Sequence, residues 1–241
     1  MIPNEIRRKT LDLAVEQCNG HIASAFSMVE ILIALYDEVL TSDDKFILSK
    51  GHGCLSFYVV LREKGFNPTI SGHPDIDVAN GIECTTGSLG HGLPVGVGMA
   101  LAKKLKGEKG TIYVLMGDGE CQEGTTWESL LIASHHKLNN LVVIVDQNRL
   151  QALDRVEDIL SLGELFKKFH SFGCYLTQCD GHNIDDIKKS FDARYESCPK
   201  VVIAHTVKGK GVSFMEDRAE WHNRSPNKKQ LKQAYEELNN A

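Results

Sequence analysis

Two short segments place oxygen donors where a metal-bound anion can be held. Met116-Gly117-Asp118-Gly119-Glu120 follows one apolar run, and Asp146-Gln147-Asn148-Arg149-Leu150 follows the next. In an open α/β sheet, ligands settle beyond the carboxyl ends of the strands, so Asp118 and Asn148 on neighbouring strand tips can converge on one point. A carboxylate, an amide oxygen and a main-chain carbonyl are hard donors. With two phosphate oxygens and a water they complete an octahedron around Mg²⁺. Glycines at 117 and 119 let a diphosphate come close to the main chain. Gly-Asp-Gly alone is also an ordinary strand-end turn; the second strand-tip donor makes the pair read as a clamp.

Histidines supply a second chemistry. They occur in Gly20-His21-Ile22-Ala23-Ser24, Ser49-Lys50-Gly51-His52-Gly53, Gly72-His73-Pro74-Asp75, Thr85-Thr86-Gly87-Ser88-Leu89-Gly90-His91-Gly92 and Trp221-His222. A histidine beside a glycine is most often a turn or capping residue. As a set they offer imidazoles, the groups whose free pKa suits proton shuttling near neutral pH. Gly90-His91-Gly92 before a helix is a poor dinucleotide fingerprint, because the spacing to Gly96 is one residue too long and no clear strand precedes it.

The elements that must position these groups alternate. Apolar spacing predicts an amphipathic helix over 4–18 capped by Asn4, and a second helix opened by a capping box at Ser27-Met28-Val29-Glu30. Strands are expected at 46–48, 111–116, 141–146, 175–179 and 201–206. Helices are expected at 55–64, ended by Gly65, and at 92–106, 127–136, 163–172, 184–195 and 228–238. The runs at 141–145 and 201–204 are apolar without interruption, as strands of a parallel sheet are when helices cover both faces. The expected fold class is therefore α/β, a three-layer parallel sheet in one domain spanning 1–241, with a polar tail over 212–241.

A hydrophobic fraction of 42% in 241 residues allows one substantial core, and a net charge of −5 provides no positive field for nucleic acid or an anionic membrane. A small-molecule partner fits better. The cysteines, Cys18, Cys54, Cys84, Cys121, Cys174, Cys179 and Cys198, are odd in number and never spaced as C-x-x-C, which argues against a disulfide scaffold or a zinc ribbon. A reducing cytoplasm is the expected compartment. No apolar run approaches the roughly 18 residues of a membrane span, and no export signal is evident.

Taken in order, the histidine segments, the Gly117-Asp118-Gly119 to Asn148 pair and Thr206-Val207-Lys208-Gly209-Lys210-Gly211 resemble the thiamine-diphosphate-binding half of transketolases, over roughly residues 5–225. The resemblance implies the thiamine-diphosphate-binding fold, with thiamine diphosphate and Mg²⁺ (or Ca²⁺ or Mn²⁺) as cofactors. It assigns metal ligation to Asp118, Asn148 and the Leu150 carbonyl. It places His52, Gly87, Leu89, His91, Gly117, Gly119 and Glu120 at the cofactor, and His21, His73 and His222 at the oxygens of a sugar or sugar-phosphate substrate. Many relatives carry Gln at the position of His91. Glu123, which with Glu128 also suits the helix N-terminus that follows, is implied at the interface through which cofactor sites associate.

Asn223-Arg224 departs from the family, where Gly is common after Trp-His. The carboxylate that activates the aminopyrimidine belongs to a second domain in this family, and too little chain follows Trp221-His222 to form one. The expectation is therefore an N-terminal subunit of a split transketolase, completed by a C-terminal subunit that carries the pyrimidine-binding and C-terminal domains. The alternatives are a deoxyxylulose-phosphate synthase-like or 2-oxo acid dehydrogenase component, and a non-catalytic binding subunit.

Overall fold

Five apolar runs become five parallel strands of one sheet. The computed structural model describes residues 1–193 and 196–240, and in it β1 is Lys45–Leu48, β2 Ile112–Gly117, β3 Leu141–Gln147, β4 Tyr175–Asp180 and β5 Lys200–His205. The spatial order is β1-β2-β3-β5-β4, parallel throughout. Register pairs Gly117 with Asp146 and Asp146 with Ala204, so β2, β3 and β5 deliver their carboxyl ends to one level.

The helices are α1 Pro3–Glu16, α2 Ile22–Phe26, α3 Val29–Ala34, α4 Cys54–Glu63, α5 Gly92–Lys106, α6 Gly124–His135, α7 Val156–Ile159, α8 Leu165–Ser171, α9 Ile184–Asp192 and α10 Lys228–Asn240. Alternate strand residues feed two cores, as the two-residue period of a strand requires. Phe46, Leu48, Tyr113, Leu115, Val142 and Ile144 pack with α1 to α4, α9 and α10. Ile47, Val114, Met116, Val143 and Val145 pack with α5, α6 and α8. Helices α5, α6 and α8 carry the chain from β1 out to β4, whereas α9, on the opposite face, brings it back to β5. A change of face on reversal is what right-handed crossovers demand.

Several element starts differ from expectation, each for a local reason. The first helix begins at Pro3, preceded by Ile2, because proline suits the first helical position where no N–H is needed; Asn4 lies inside the helix and is not its cap. No capping box forms at Ser27. That residue ends α2, and its hydroxyl donates to Asp146 Oδ2 at 2.6 Å. Glu30 instead takes the buried Arg7 guanidinium at 2.7 Å, and the ring of His182 lies 3.0 Å from the same oxygen. His182 Nε2 in turn accepts the Val207 N–H at 2.8 Å, which ties α1 and α3 to the segment beyond β5. Burial works against the Glu30 charge, yet His182 and Arg7 outweigh it and hold the carboxyl below its ordinary value.

The helix expected over 184–195 ends at Asp192, and Tyr195 lies outside the described residues. Helix α7 has no counterpart among the expected elements. Past residue 211 the chain packs: Val212, Met215, Trp221, Ala234 and Leu238 are all buried in the first core.

Helix α5 approaches the sheet through Gly96, where an added Cβ would stand 2.5 Å from Val114 Cγ2. Gly98, on the same helix, has nothing within 4 Å of such an atom. Gly96→Ala is therefore expected to lower the unfolding free energy in urea by about 1–3 kcal/mol through overpacking. Gly98→Ala should raise it by about 0.5–1 kcal/mol through helix propensity. Equal effects at both positions would contradict this account of how α5 is seated.

Candidate functional site

Four strand tips meet at the carboxyl edge of the sheet. Beyond β2 stands Asp118, beyond β3 Asn148 and Leu150, beyond β1 Lys50 and His52, and beyond β5 Lys208. All of them line one cavity of about 450 Å³, a volume typical of small-molecule sites.

Lys50, in the cavity lining, belongs to a buried ion pair. Asp146, fully buried at the end of β3, accepts the ammonium of Lys50, the Ser27 hydroxyl and the Thr206 hydroxyl. Burial raises its pKa, but Lys50 and the two hydroxyls prevail and keep it ionised. Lys50 also donates to the Ser24 carbonyl at 3.0 Å, so that its charge is consumed inside the protein.

Asp118 is differently placed. Its Oδ1 accepts Gly119 N–H at 2.8 Å and its Oδ2 accepts Arg149 N–H at 2.5 Å, which pins the tip of β3 to that of β2. Arg149 makes this contact at φ 65°, a left-handed conformation uncommon outside glycine. No cation contacts Asp118 among the described residues, and burial, with Asp146 adding to it, pushes its carboxyl up to about 7. Asn148 Oδ1 accepts Leu150 N–H at 3.0 Å and its amide donates to Asp146 Oδ1 at 3.4 Å. Gly117 opens to the cavity, since a Cβ there would meet nothing within 4 Å. Glu120, also in the lining, accepts N–H groups from Gly90 (2.9 Å) and Gly117 (3.2 Å) and the Ser49 hydroxyl. It braces the glycine segments while burial raises its pKa.

Four imidazoles line the same cavity. His21 precedes α2, His52 follows β1, His73 lies in the loop after α4, and His222 follows a short turn at Ala219–Trp221. Ring centroids are 5.7 Å apart for His21 and His52, 6.0 Å for His21 and His73, 5.6 Å for His21 and His222, and 5.2 Å for His52 and His222. Burial foremost, then neighbouring cations and rings, lowers the pKa of His21 and His52, and takes His222 down to about 3. These three rings are neutral at physiological pH. A neutral imidazole offers one donor and one acceptor, the equipment for moving protons between hydroxyl and carbonyl oxygens.

Of the residues singled out in the sequence, His21, His52, His73, Gly87, Leu89, Gly117, Asp118, Gly119, Glu120, Asn148, Leu150 and His222 all line this cavity. His91 does not. It is exposed, its Nδ1 engaged with the Leu89 carbonyl (3.0 Å) and the Ser88 hydroxyl (3.2 Å). The Leu150 carbonyl faces Lys208 Nζ at 3.3 Å. Glu123 stands immediately before α6 and makes no side-chain cap. Sequence reasoning gave no role to Lys50, Lys208 or Asp146, although the first two sit beside glycines in segments already marked. Lys208 is 1% exposed and has no carboxylate in contact among the described residues; burial lowers its pKa to about 7.

Metal-type donors and buried ammonium groups on adjoining strand tips, open to one glycine-lined space, define an α/β domain that holds an anionic cofactor. Residues 1–239 match the family described as transketolase, thiamine diphosphate binding domain, and the chain belongs to that family. It is 41% identical to one subunit of the apulose-4-phosphate transketolase of Actinobacillus succinogenes, covering 97% of this chain and 93% of that one. With a 6-deoxy-6-sulfo-D-fructose transketolase subunit of a Clostridium species it shares 34% identity over 98% of this chain and 94% of the relative. Human transketolase is 31% identical, but the chain spans only 41% of its length. Among solved structures, transketolase from Campylobacter jejuni superposes with a TM-score of 0.87 at 26% identity, covering 98% of this chain and 42% of that one. Transketolase from Leishmania mexicana shares the fold at a TM-score of 0.89 and 24% identity, covering 98% of this chain and 40% of that one.

The Lys50–Asp146 pair sets an expectation. Lys50→Met strands a fully buried carboxylate and should cost about 3–5 kcal/mol of unfolding free energy in urea, partly restored by adding Asp146→Asn. A single variant within about 1 kcal/mol of the native chain would show that the pair does not hold the strand tips.

Proposed function

We propose that the chain is the N-terminal subunit of a two-chain transketolase, a single thiamine-diphosphate domain that transfers a two-carbon ketol unit from a ketose to an aldose once joined to a C-terminal subunit. The observation that carries this reading is the convergence of strand-tip oxygen donors and neutral imidazoles on one cavity. Relatives named as subunits are matched over 93% and 94% of their length, whereas human transketolase is matched over 41%, which supports a division of the enzyme between two chains.

The donor set fits a magnesium diphosphate. Asp118 is a buried carboxylate satisfied, among the described residues, only by N–H groups, and Asn148 and the Leu150 carbonyl add neutral oxygens in the same lining. A carbonyl has two lone pairs, so Leu150 can keep Lys208 and still ligate. These three residues would hold Mg²⁺, or Ca²⁺ or Mn²⁺ in its place, while Gly117, Gly119 and Lys208 receive the diphosphate. When bound, thiamine diphosphate supplies a nucleophilic thiazolium carbon and an electron sink for the two-carbon unit.

The chain's own contribution is placement and proton transfer. His52 and Leu89 bound the cofactor side, and His21, His73 and His222 face the substrate oxygens. His91, at the exposed rim, and Glu123 would meet the cofactor-site interface on association. The partner would bring the pyrimidine-binding and C-terminal domains and the groups that grip a sugar or sugar-phosphate head. No nucleic acid or membrane enters this reading, and among the described residues no helix is long and apolar enough to cross a membrane. Seven free thiols suit a reducing cytoplasm.

Mixing the chain with its C-terminal partner, thiamine diphosphate and Mg²⁺ should yield ketol transfer measurable by a coupled assay. A well-formed complex inactive on every ketose would favour a non-catalytic role. In the assembled protein, Asp118→Ala should weaken metal-dependent cofactor binding about 100-fold, the loss of a charged contact worth roughly 3 kcal/mol. Unchanged affinity by calorimetry would refute the metal assignment.

A further inference from the structure

Residues 151–160, between β3 and α8, have little to pack against. Gln151, Leu153 and Ile159 line the main cavity, whereas Arg155, Val156 and Glu157 line a second one of about 410 Å³. Within the segment only Val156 is buried, and Leu153, Ile159 and Leu160 are exposed. Apolar burial therefore does little to hold this strip, and its position depends on hydrogen bonds.

Most of those bonds are weak or internal. Arg155 meets Asp217 at 3.1 Å with both side chains half exposed, a pair worth little in water. Lys208 Nζ lies 3.4 Å from the Gln151 carbonyl. The Val156 N–H donates to the Arg149 carbonyl at 3.0 Å, whereas those of Ile159 and Leu160 stay within the strip, on Arg155 and Val156. Gln122 is different. Its carboxamide nitrogen donates to the Leu160 carbonyl at 2.9 Å and to the Val156 carbonyl at 3.3 Å. Carbonyls only accept, which identifies that atom as the amide nitrogen, with one proton for each. The grip spans α7 from its first residue to the residue after its last. Gln122 itself ends the turn Gly119–Gln122, which follows directly on Asp118.

We propose that Gln122 is a positioning residue that seats residues 151–160 on the Asp118 turn and thereby fixes one wall of the cofactor cavity. The seating follows from this chain's contacts alone; its use rests on the thiamine-diphosphate reading above. With the grip lost, the strip lifts and Leu153 and Ile159 leave the cavity wall. Asp118 and Asn148 stay in place, since main-chain N–H groups and Asp146 hold them. A cofactor would still bind and react, but it would escape sooner.

Hydrogen exchange of the full chain, read by mass spectrometry on peptides covering 151–160 and α5, tests the seating without cofactor. Gln122→Ala and Gln122→Glu, the second equal in size but lacking a donor, should both speed exchange over 151–160 about 10-fold, as loss of two neutral hydrogen bonds implies, and leave α5 unchanged. Gln122→Lys keeps N–H donors and should stay within about twofold of the native chain. Native-like exchange in Gln122→Glu, exchange in Gln122→Lys as fast as in Gln122→Ala, or equal acceleration in α5 overturns the proposal. In the reconstituted enzyme, Gln122→Ala and Gln122→Glu should raise the Kd for thiamine diphosphate with Mg²⁺ about 10-fold while kcat at saturating cofactor stays within about twofold. A fall in kcat with unchanged Kd removes the role assigned to Gln122 at the cavity wall. Absence of cofactor binding in the native assembly removes the functional reading instead, and the exchange data still decide the seating.

Discussion

The buried pair between Lys50 and Asp146 is the constraint on which the site depends. A carboxylate with no exposure at the end of the central strand is untenable alone, and the ammonium that answers it comes from the tip of β1, two strands away. Ser27 and Thr206 add hydroxyls from the end of α2 and the tip of β5. One charge thus draws together four separate parts of the chain. Asn148 leans on the same carboxylate, so its orientation follows from the pair as well.

With that pair neutralised internally, what remains at the surface of the cavity is unbalanced in a useful way. Among the described residues, Asp118 accepts only from main-chain N–H groups, and Lys208 donates only to neutral acceptors. The two unmatched groups are of opposite sign and line the same space. A ligand carrying both a cation and an anion complements them jointly, where a simple anion or a simple cation would satisfy one and repel the other. The lysines have a second effect: their charge, added to burial, keeps His52 and His222 neutral.

Much of this is legible in the sequence because strand tips are marked by composition. An apolar run ending in Gly-Asp-Gly or Asp-Gln-Asn names both the strand and the residues beyond it, and the helix over 92–106 matches its expected bounds because Gly107 takes the left-handed conformation that ends it. The histidines can be gathered only by resemblance, since nothing local relates 21 to 222. Ser27 and Glu30 mislead for a definite reason. Their spacing satisfies a capping box, but each is recruited by a buried charge far along the chain, Asp146 for one and Arg7 for the other. Tertiary demand of that kind leaves no periodic trace. Lys50 and Lys208 escape notice because a lysine is ordinarily a solvated residue, and only burial reveals it as a counter-charge.

The glycines explain why these parts can share so small a space. An added Cβ at Gly20 would meet Asn223 Oδ1 at 2.5 Å, at Gly51 the Thr86 hydroxyl at 2.8 Å, and at Gly92 the Ser49 hydroxyl at 2.4 Å. Each of these glycines neighbours a histidine, and each lets one main-chain segment press against another at the cavity edge. Gly20 is the most telling case, because its carbonyl also accepts the Arg224 N–H at 3.0 Å. That contact joins the chain just before His21 to the chain just after His222. The two rings furthest apart in sequence are thus neighbours in the cavity because a side chain is missing beside one of them. Gly20 and Gly51, each just before a cavity histidine, act as spacers, and the imidazole wall is as much a product of close main-chain packing as of the rings themselves.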